Sequence, residues 1–295
     1  MSRNSTIAWL ARPGTRTATW NPVRGCTRKS RGCVNCYAER MAARFSDPGY
    51  WGHGYAERVP TVDGTGWVPR WTGKVDLIDD ALDAPTKWRA PHTVFVNSTS
   101  DLFHEKLNFA DIDAIVRTIV ACPRHEFLAL TKRPDRMREW ALGRVGDGGT
   151  MPANLWLGVS VEDQATADER IPILLDTPAA LRWISAEPLV ERVDLNVIRD
   201  SRGFASVLEP MEINGGTGQA VGFRPALDWV VVGGESGPGA APFNPDWARQ
   251  IVRDCEAACV PVFVKQLGVS NAVTDGKGED ISHWPADLRV RAWPR

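Results

Sequence analysis

Short runs of apolar, β-branched and aromatic residues recur along the 295-residue chain, and most lead into a polar or glycine-bearing turn and then a helical period. "TATWNP" near Trp20, "WTGKVDL" near Lys74, "HTVFVNS" from His92 to Ser98 and "HEFLAL" from His125 to Leu130 read as strands. So do "NLWLGVS" from Asn154 to Ser160, "LRWISAE" from Leu181 to Glu187, "LDWVVVGG" from Leu227 to Gly234 and "VPVFVKQ" from Val260 to Gln266. Roughly eight such runs is the number that a closed (β/α) barrel needs. Between them lie amphipathic periods with start signals. "NFADIDAIVRTIVAC" has Asn108 as N-cap, and "NPDWARQIVRDCEAAC" has Asn244 as cap and Pro245 in the first turn; "DQATADERIPILLDT" is the third. Repeated β-then-α order predicts a parallel sheet, hence an α/β fold: a TIM-like (β/α) barrel, full or partial, as a single domain over residues 1–295. Two stretches break the rhythm, at about 46–70 and about 198–225 (the latter with "INGGTGQ"), and are expected to be insertions or long loops.

The residues that close the apolar runs carry the candidate chemistry. They are Ser98, Ser100 and Asp101; Thr131, Lys132 and Arg133; Ser160 and Glu162; Ser185 and Glu187; Gly233, Gly234, Glu235 and Ser236; then Lys265 and Gln266. Any strand exits into polar residues, so one such end means little. Six in register predict a binding rim, because ligands of parallel α/β folds bind at the carboxyl ends of the strands.

"GCTRKSRGCVNCYAE", Gly25 to Glu39, follows the first run and leads into a helix, which sets Cys26, Cys33 and Cys36 in the first βα loop. Cys33 and Cys36, in C-x2-C spacing, can reach one metal or cluster, and Gly25 and Gly32 permit the turns that let Cys26 close over it. A structural zinc asks for a fourth ligand. Cys122, Cys255 and Cys259 read as small buried apolar residues, which leaves His53 or His104. A 4Fe-4S cluster on three cysteines keeps one iron open for a substrate or cofactor, which accounts for the missing ligand.

Composition narrows the classes. Hydrophobic content of 43% and charged content of 24% are those of a globular protein, and no apolar run approaches the roughly 20 residues of a membrane span. The amino-terminal residues lack a secretory pattern, so a cytoplasmic protein is expected. Six cysteines are too few for a disulfide scaffold. The net charge of -1 offers no global attraction for nucleic acid, so such binding must use local patches. "RKSR" in the cysteine loop, "TKRPDRMREW" and "GYWGHGYAERVP" are candidates, with plain solvated loops as the alternative.

"TWNPVRGCTRKSRGCVNCYAERMAARF", "WRAPHTVFVNSTSDLFHE", "LALTKRPDRM", "LWLGVSVED", "WISAEPLVE", "WVVVGGESGPGA" and "VFVKQLG", in this order from about Thr19 to Gly268, resemble the phage-associated three-Cys-motif family, a domain of unknown function regarded as radical-SAM-like. The resemblance implies a 4Fe-4S cluster on Cys26, Cys33 and Cys36, with S-adenosylmethionine on the open iron and an electron donor as partner. Reductive cleavage of that cofactor would give a 5'-deoxyadenosyl radical that acts on a nucleic acid or nucleoside, in the cytoplasm of a bacterial host and from a phage or host gene. The usual radical SAM spacing is C-x3-C-x2-C with an aromatic just before the last cysteine. Here the first gap is six residues and the aromatic, Tyr37, follows Cys36. The glycine-glycine-glutamate run, Gly233 to Glu235, follows a late strand instead of an early one.

On this reading Asp101, Glu187 or Glu235 accepts hydrogen bonds from an ammonium or ribose hydroxyl, and Lys132, Arg133 or Lys265 pairs with a carboxylate or phosphate. Ser98, Ser100, Ser160, Ser185 and Ser236 supply neutral hydrogen bonds, and Tyr37, Glu162, Gly233 and Gly234 complete the candidate cofactor set. Two alternatives stand beside it: a non-catalytic phage factor that binds nucleic acid or protein and is stabilised by zinc or an iron-sulfur cluster, and an enzyme using Asp101, Glu187 and Glu235 with a divalent ion.

Overall fold

The computed structural model describes residues 4–201, 203–214, 220–224, 226–237, 239–268 and 278–294. The chain forms two compact units, Met1–Arg136 and Met137–Arg295.

In the first unit, strands β1 (Arg16–Trp20), β2 (His92–Val96) and β3 (Glu126–Thr131) run parallel in sequence order. Ala18 pairs with Val94 and Val94 with Phe127, so small and large apolar residues share one layer. Trp20 is fully buried, yet its indole N–H is satisfied by Ala81 O at 2.7 Å. Helix α1 (Tyr37–Arg44) follows the cysteine loop, and helix α2 (Phe109–Val120) connects β2 to β3. The Asn108 side chain accepts from Asp111 N–H while Asp111 reaches back to Asn108 N–H, a full capping box at the expected position. Ile112, Ile115, Val116 and Ile119 form the buried stripe of α2.

Three expectations for this part of the chain need correction. "WTGKVDL" is not a strand of a parallel sheet: Trp71 ends an antiparallel hairpin strand opposite Ala56, Gly73, at φ +82°, turns the chain, and Asp76–Leu77 pairs, antiparallel, with Val23–Arg24. Seven parallel strands, not eight, are therefore found among the described residues. Residues 46–70, expected as an insertion or a long loop, carry structure of their own, because Ala56–Pro60 and Trp67–Trp71 form an antiparallel hairpin. Its Ala56 is buried with Ala42 and Ala43 of α1, and Trp51 and Trp71 pack against them. Finally, "TKRPDRMREW", expected as a basic surface or a plain solvated loop beyond the rim residues Thr131 to Arg133, belongs mostly to helix α3 (Pro134–Gly146), which Pro134 opens.

In the second unit, β4 (Leu155–Ser160), β5 (Leu181–Ala186), β6 (Trp229–Gly233) and β7 (Val262–Gln266) are parallel neighbours, again in sequence order. Helix α4 (Gln164–Leu175) starts at the capping box of Asp163, and α5 (Pro245–Ala257) starts at Asn244, whose side chain accepts from Asp246 N–H. Glycine at position 158 makes room for a neighbouring ring, since an added Cβ would stand 2.6 Å from the Trp183 indole. That indole tilts against Trp229 at 5.5 Å.

Within 198–225, Ile198–Asp200 pairs with Gly203–Ala205 and Met211–Asn214 with Ala220–Arg224. Residues 215–219 of "INGGTGQ" lie outside the described residues. Parallel strands in sequence order with intervening helices make this an α/β fold. Among the described residues no helix is long and apolar enough to cross a membrane.

Candidate functional site

The cysteine loop leaves the carboxyl end of β1 and is held there by many bonds. Asn97, just past β2, donates its backbone N–H to Trp20 O at 2.8 Å and accepts Val23 N–H on its side chain at 3.2 Å. Ser98 Oγ donates to Asn21 Oδ1, and Ser100 Oγ donates to Val23 O at 3.0 Å. Both serines, expected on the rim, thus brace the loop. Gly25 then makes the turn at φ +85°, and an added Cβ would sit 1.9 Å from Lys74 O, so no other residue fits.

Beyond this turn the three thiols follow. Cys26 Sγ lies 3.5 Å from Thr27 O, to which it donates. Cys33 ends a short 3-10 turn, is buried, and accepts Lys29 N–H at 3.4 Å. Cys36 occupies the N-cap position of α1. Burial, reinforced by Asp101 and opposed by Arg133, pushes the Cys26 thiol up to about 12. Burial also raises Cys36, against the backbone N–H groups of Glu39 and Ala38. Cys36 is the electrostatic neighbour of both other thiols. Among the described residues, no three His, Cys, Asp or Glu side chains are gathered into a set that would hold a metal ion. Tyr37, the first residue of α1, is 68% exposed.

A buried polar network lies under the loop. Asp101 accepts from Thr131 Oγ1 at 2.7 Å, Phe103 N–H at 3.0 Å and Arg133 Nη1 at 2.9 Å, with Lys132 N–H at 3.3 Å. Arg133 also donates to Glu105 at 2.8 Å and, through Nη2, to Thr27 Oγ1 at 2.8 Å. Burial opposes its charge, but Asp101, Cys26 and Glu105 outweigh that and raise its pKa. His104 Nδ1 accepts Lys106 N–H, so Nε2 carries the proton and donates to Thr27 Oγ1 at 2.9 Å. Burial and then Arg133 lower the His104 pKa, which keeps the ring neutral.

Sequence reasoning did not single out Thr27 or Glu39. Glu39 is 1% exposed, accepts from Arg28 Nε at 2.9 Å and from Trp71 N–H at 2.9 Å, and so ties the loop, α1 and the hairpin together. Its spacing from Ala42 and Ala43, three and four residues on, was the available signal of a buried helix face. His53 is engaged with Ser46 O.

The other expected residues belong to the second unit. Ser160 closes β4, and its carbonyl accepts from Arg170 Nη1 at 2.7 Å; Arg170 also contacts the fully buried Glu162 at 3.2 Å. Ser185 is buried inside β5, and Glu187, just past it, pairs with Lys265 of β7. Gly233 and Gly234 are buried, and an added Cβ at Gly234 would stand 2.8 Å from the Phe243 ring. Glu235 accepts Ala241 N–H at 2.7 Å, and Ser236 is exposed. Cys122 and Cys255 are buried as expected. Cys259 is not: it lies past the end of α5 at φ +56° and is exposed.

These features define an α/β protein whose most concentrated reactive chemistry sits on a thiol-bearing loop after the first parallel strand. The family model described as "Protein of unknown function (DUF5131)" matches residues 4–283, and the chain belongs to that family. No curated protein and no solved structure matches it.

Proposed function

We propose that the protein is a radical SAM-type enzyme on a partial TIM-like (β/α) barrel, with Cys26, Cys33 and Cys36 holding a 4Fe-4S cluster and a nucleic acid or nucleoside as substrate. The observation that carries the reading is three thiols on one braced loop at the carboxyl end of β1, the strand end where parallel α/β folds bind their ligands. Three soft sulfur donors fit iron-sulfur ligation, and Lys29 N–H already points at Cys33 Sγ, a bond of the kind that tunes such clusters. Burial holds the Cys26 and Cys36 pKa values up and the thiols are not gathered in the present arrangement, so loading requires loss of thiol protons and a drawing-in of the loop. When bound, the cluster with S-adenosylmethionine would supply a carbon-centred radical for hydrogen abstraction from substrate.

The chain's own residues hold and shield that chemistry. Asp101 and Arg133 fix the loop from below through Thr27, and Glu39 of α1 holds the adjacent Arg28. Anaerobic reconstitution with iron and sulfide, then reduction with S-adenosylmethionine present, tests the reading. We expect about four irons and four sulfides per chain with visible charge-transfer absorbance, and 5'-deoxyadenosine as product. Stoichiometric zinc, no such absorbance, and unfolding on chelation would replace it with a metal-stabilised binding protein.

A further inference from the structure

A cavity of about 500 Å³ opens beside the cysteine loop, wholly within the first unit. Val59, Val68 and Trp71 of the hairpin give it an apolar wall, Arg28 and Arg70 stand at its edge, and Thr27 contributes from the loop. This size and mixture suit a small planar group with a few polar handles. Glu39 also lines it, but its carboxylate is taken up by Arg28 and Trp71 N–H. Arg70 pairs with Glu57 across an exposed rung of the hairpin, a pair that a stronger anion can replace.

The Thr27 hydroxyl has a fixed polarity. Its oxygen accepts from Arg133 Nη2 and from protonated His104 Nε2, so its own hydrogen is left to donate elsewhere. The surroundings are strongly biased: residues 24–75 hold nine lysines and arginines against four carboxylates, a surplus of five positive charges in a chain of net charge -1. Aromatic faces are exposed in the same segment, Tyr37 at 68%, Tyr50 at 58% and Trp67 at 40%. A cation surplus interleaved with open rings is the pattern that binds single strands, through phosphates and stacked bases.

We propose that this cavity is a nucleotide pocket for a single-stranded nucleic acid: one base lies against the Trp71 and Val68 wall, Arg28 and Arg70 meet the flanking phosphates, and Thr27 donates to an acceptor of the nucleotide. The proposal rests on the function proposed above only for the chemistry done to the strand. Binding itself needs the cavity alone and is measured without iron or S-adenosylmethionine.

The probe is a fluorescein-labelled oligothymidylate of about 12 nucleotides, titrated with the full chain and followed by anisotropy at several salt concentrations. Affinity should fall steeply with salt, and Val68→Asp and Arg70→Glu should each weaken binding roughly tenfold. Both side chains are exposed, so either variant decides the matter even if the other misfolds. Arg253→Glu, an equal charge change at an exposed site on α5, should leave binding unaltered. Equal loss in Arg253→Glu, no loss in the two cavity variants, or competition by polyglutamate or polyphosphate as effective as by unlabelled oligonucleotide would each overturn the pocket. Because loading of iron and sulfide is assayed separately on the same preparations, failure of the pocket leaves the cluster reading standing, and failure of the cluster leaves the pocket standing.

Discussion

Each unit buries an arginine against a carboxylate, and the two pairs do different work. In the second unit Arg170 and Glu162, 1% and 0% exposed, lie eight residues apart, and Arg170 also holds Ser160 O. That pair binds a helix to the strand just before it. In the first unit Arg133 reaches Asp101 and Glu105 about thirty residues back and Thr27 more than a hundred back. It binds the end of one strand to the loop that leaves another. Chemical type and burial are the same, and sequence separation tells them apart: the short pair braces local structure, whereas the long one positions a loop bearing three thiols.

The sharpest way to break this comparison is to remove each guanidinium. Arg133→Met and Arg170→Met should each cost about 3–5 kcal/mol in urea denaturation, because each leaves a buried carboxylate uncompensated. Their second effects should differ. Arg133→Met should make the Cys26 thiolate react markedly faster with a thiol reagent, once the rate is corrected for the higher thiol pKa that loss of the Arg133 charge brings, since the loop loses its tie through Thr27, while Arg170→Met should leave that corrected rate unchanged. Equal corrected rates in the two variants would remove the distinction.

Glycines give a second, smaller contrast. Gly25→Ala should cost about 2–4 kcal/mol, because an alanine must both adopt φ +85° and stand against the Lys74 carbonyl. Gly158→Ala meets a ring instead of backbone, and Trp183 can shift, so about 1–3 kcal/mol is expected. Chemical denaturation of both, with the Cys26 modification rate as a second reading, should show loosened thiols only in Gly25→Ala.

Strand positions, helix caps and the cysteine loop were legible from the sequence because each is written locally. Alternating or continuous apolar runs gave all seven parallel strands to within a residue or two at most ends, and Asn108, Asn244 and Pro245 announced their helices. What remained hidden depends on partners distant in sequence. No local signal says that Arg133 will meet Thr27, or that Ser98 and Ser100 will turn toward the loop and not toward a ligand. The hairpin at Ala56–Trp71 was obscured because its strands are short and half-exposed, joined by a six-residue turn around Asp63 and Gly64. Helix α3 was obscured because Arg and Asp residues break up its apolar period.

The caps supply a smaller test, in one helix of each unit. Asn108→Ala removes one side of a reciprocal box and should cost about 1–2 kcal/mol. Asn244 makes a single bond to Asp246 N–H, and Pro245 already fixes the first turn, so Asn244→Ala should cost about 0.5–1 kcal/mol. Reversal of this order in denaturation midpoints would show that the box adds nothing to the first unit.

The smallest effect, absent at pH 8, should appear only on acidification and should arise in the first unit. His125 is fully buried there; its Nδ1 accepts His92 N–H at 3.2 Å, so its Nε2–H faces Pro85 O at 3.2 Å. Protonation would set an N–H against an N–H, and burial, with Arg124 and His92 adding, lowers its pKa despite the Pro85 bond. A histidine whose folded pKa lies below its unfolded value stabilises the fold fully above that ordinary value near 6.5. The contribution is lost as pH falls through it toward the lower folded value, because the unfolded chain then binds the extra proton. The histidine of the second unit, His283, is half-exposed. His125→Gln keeps an acceptor for His92 N–H and a donor for Pro85 O but cannot titrate. Its denaturation midpoint should match the parent at pH 8 and fall less steeply between pH 7 and pH 5. Parallel curves for His125→Gln and the parent would mean that acid sensitivity arises elsewhere, with buried His104 the next residue to change.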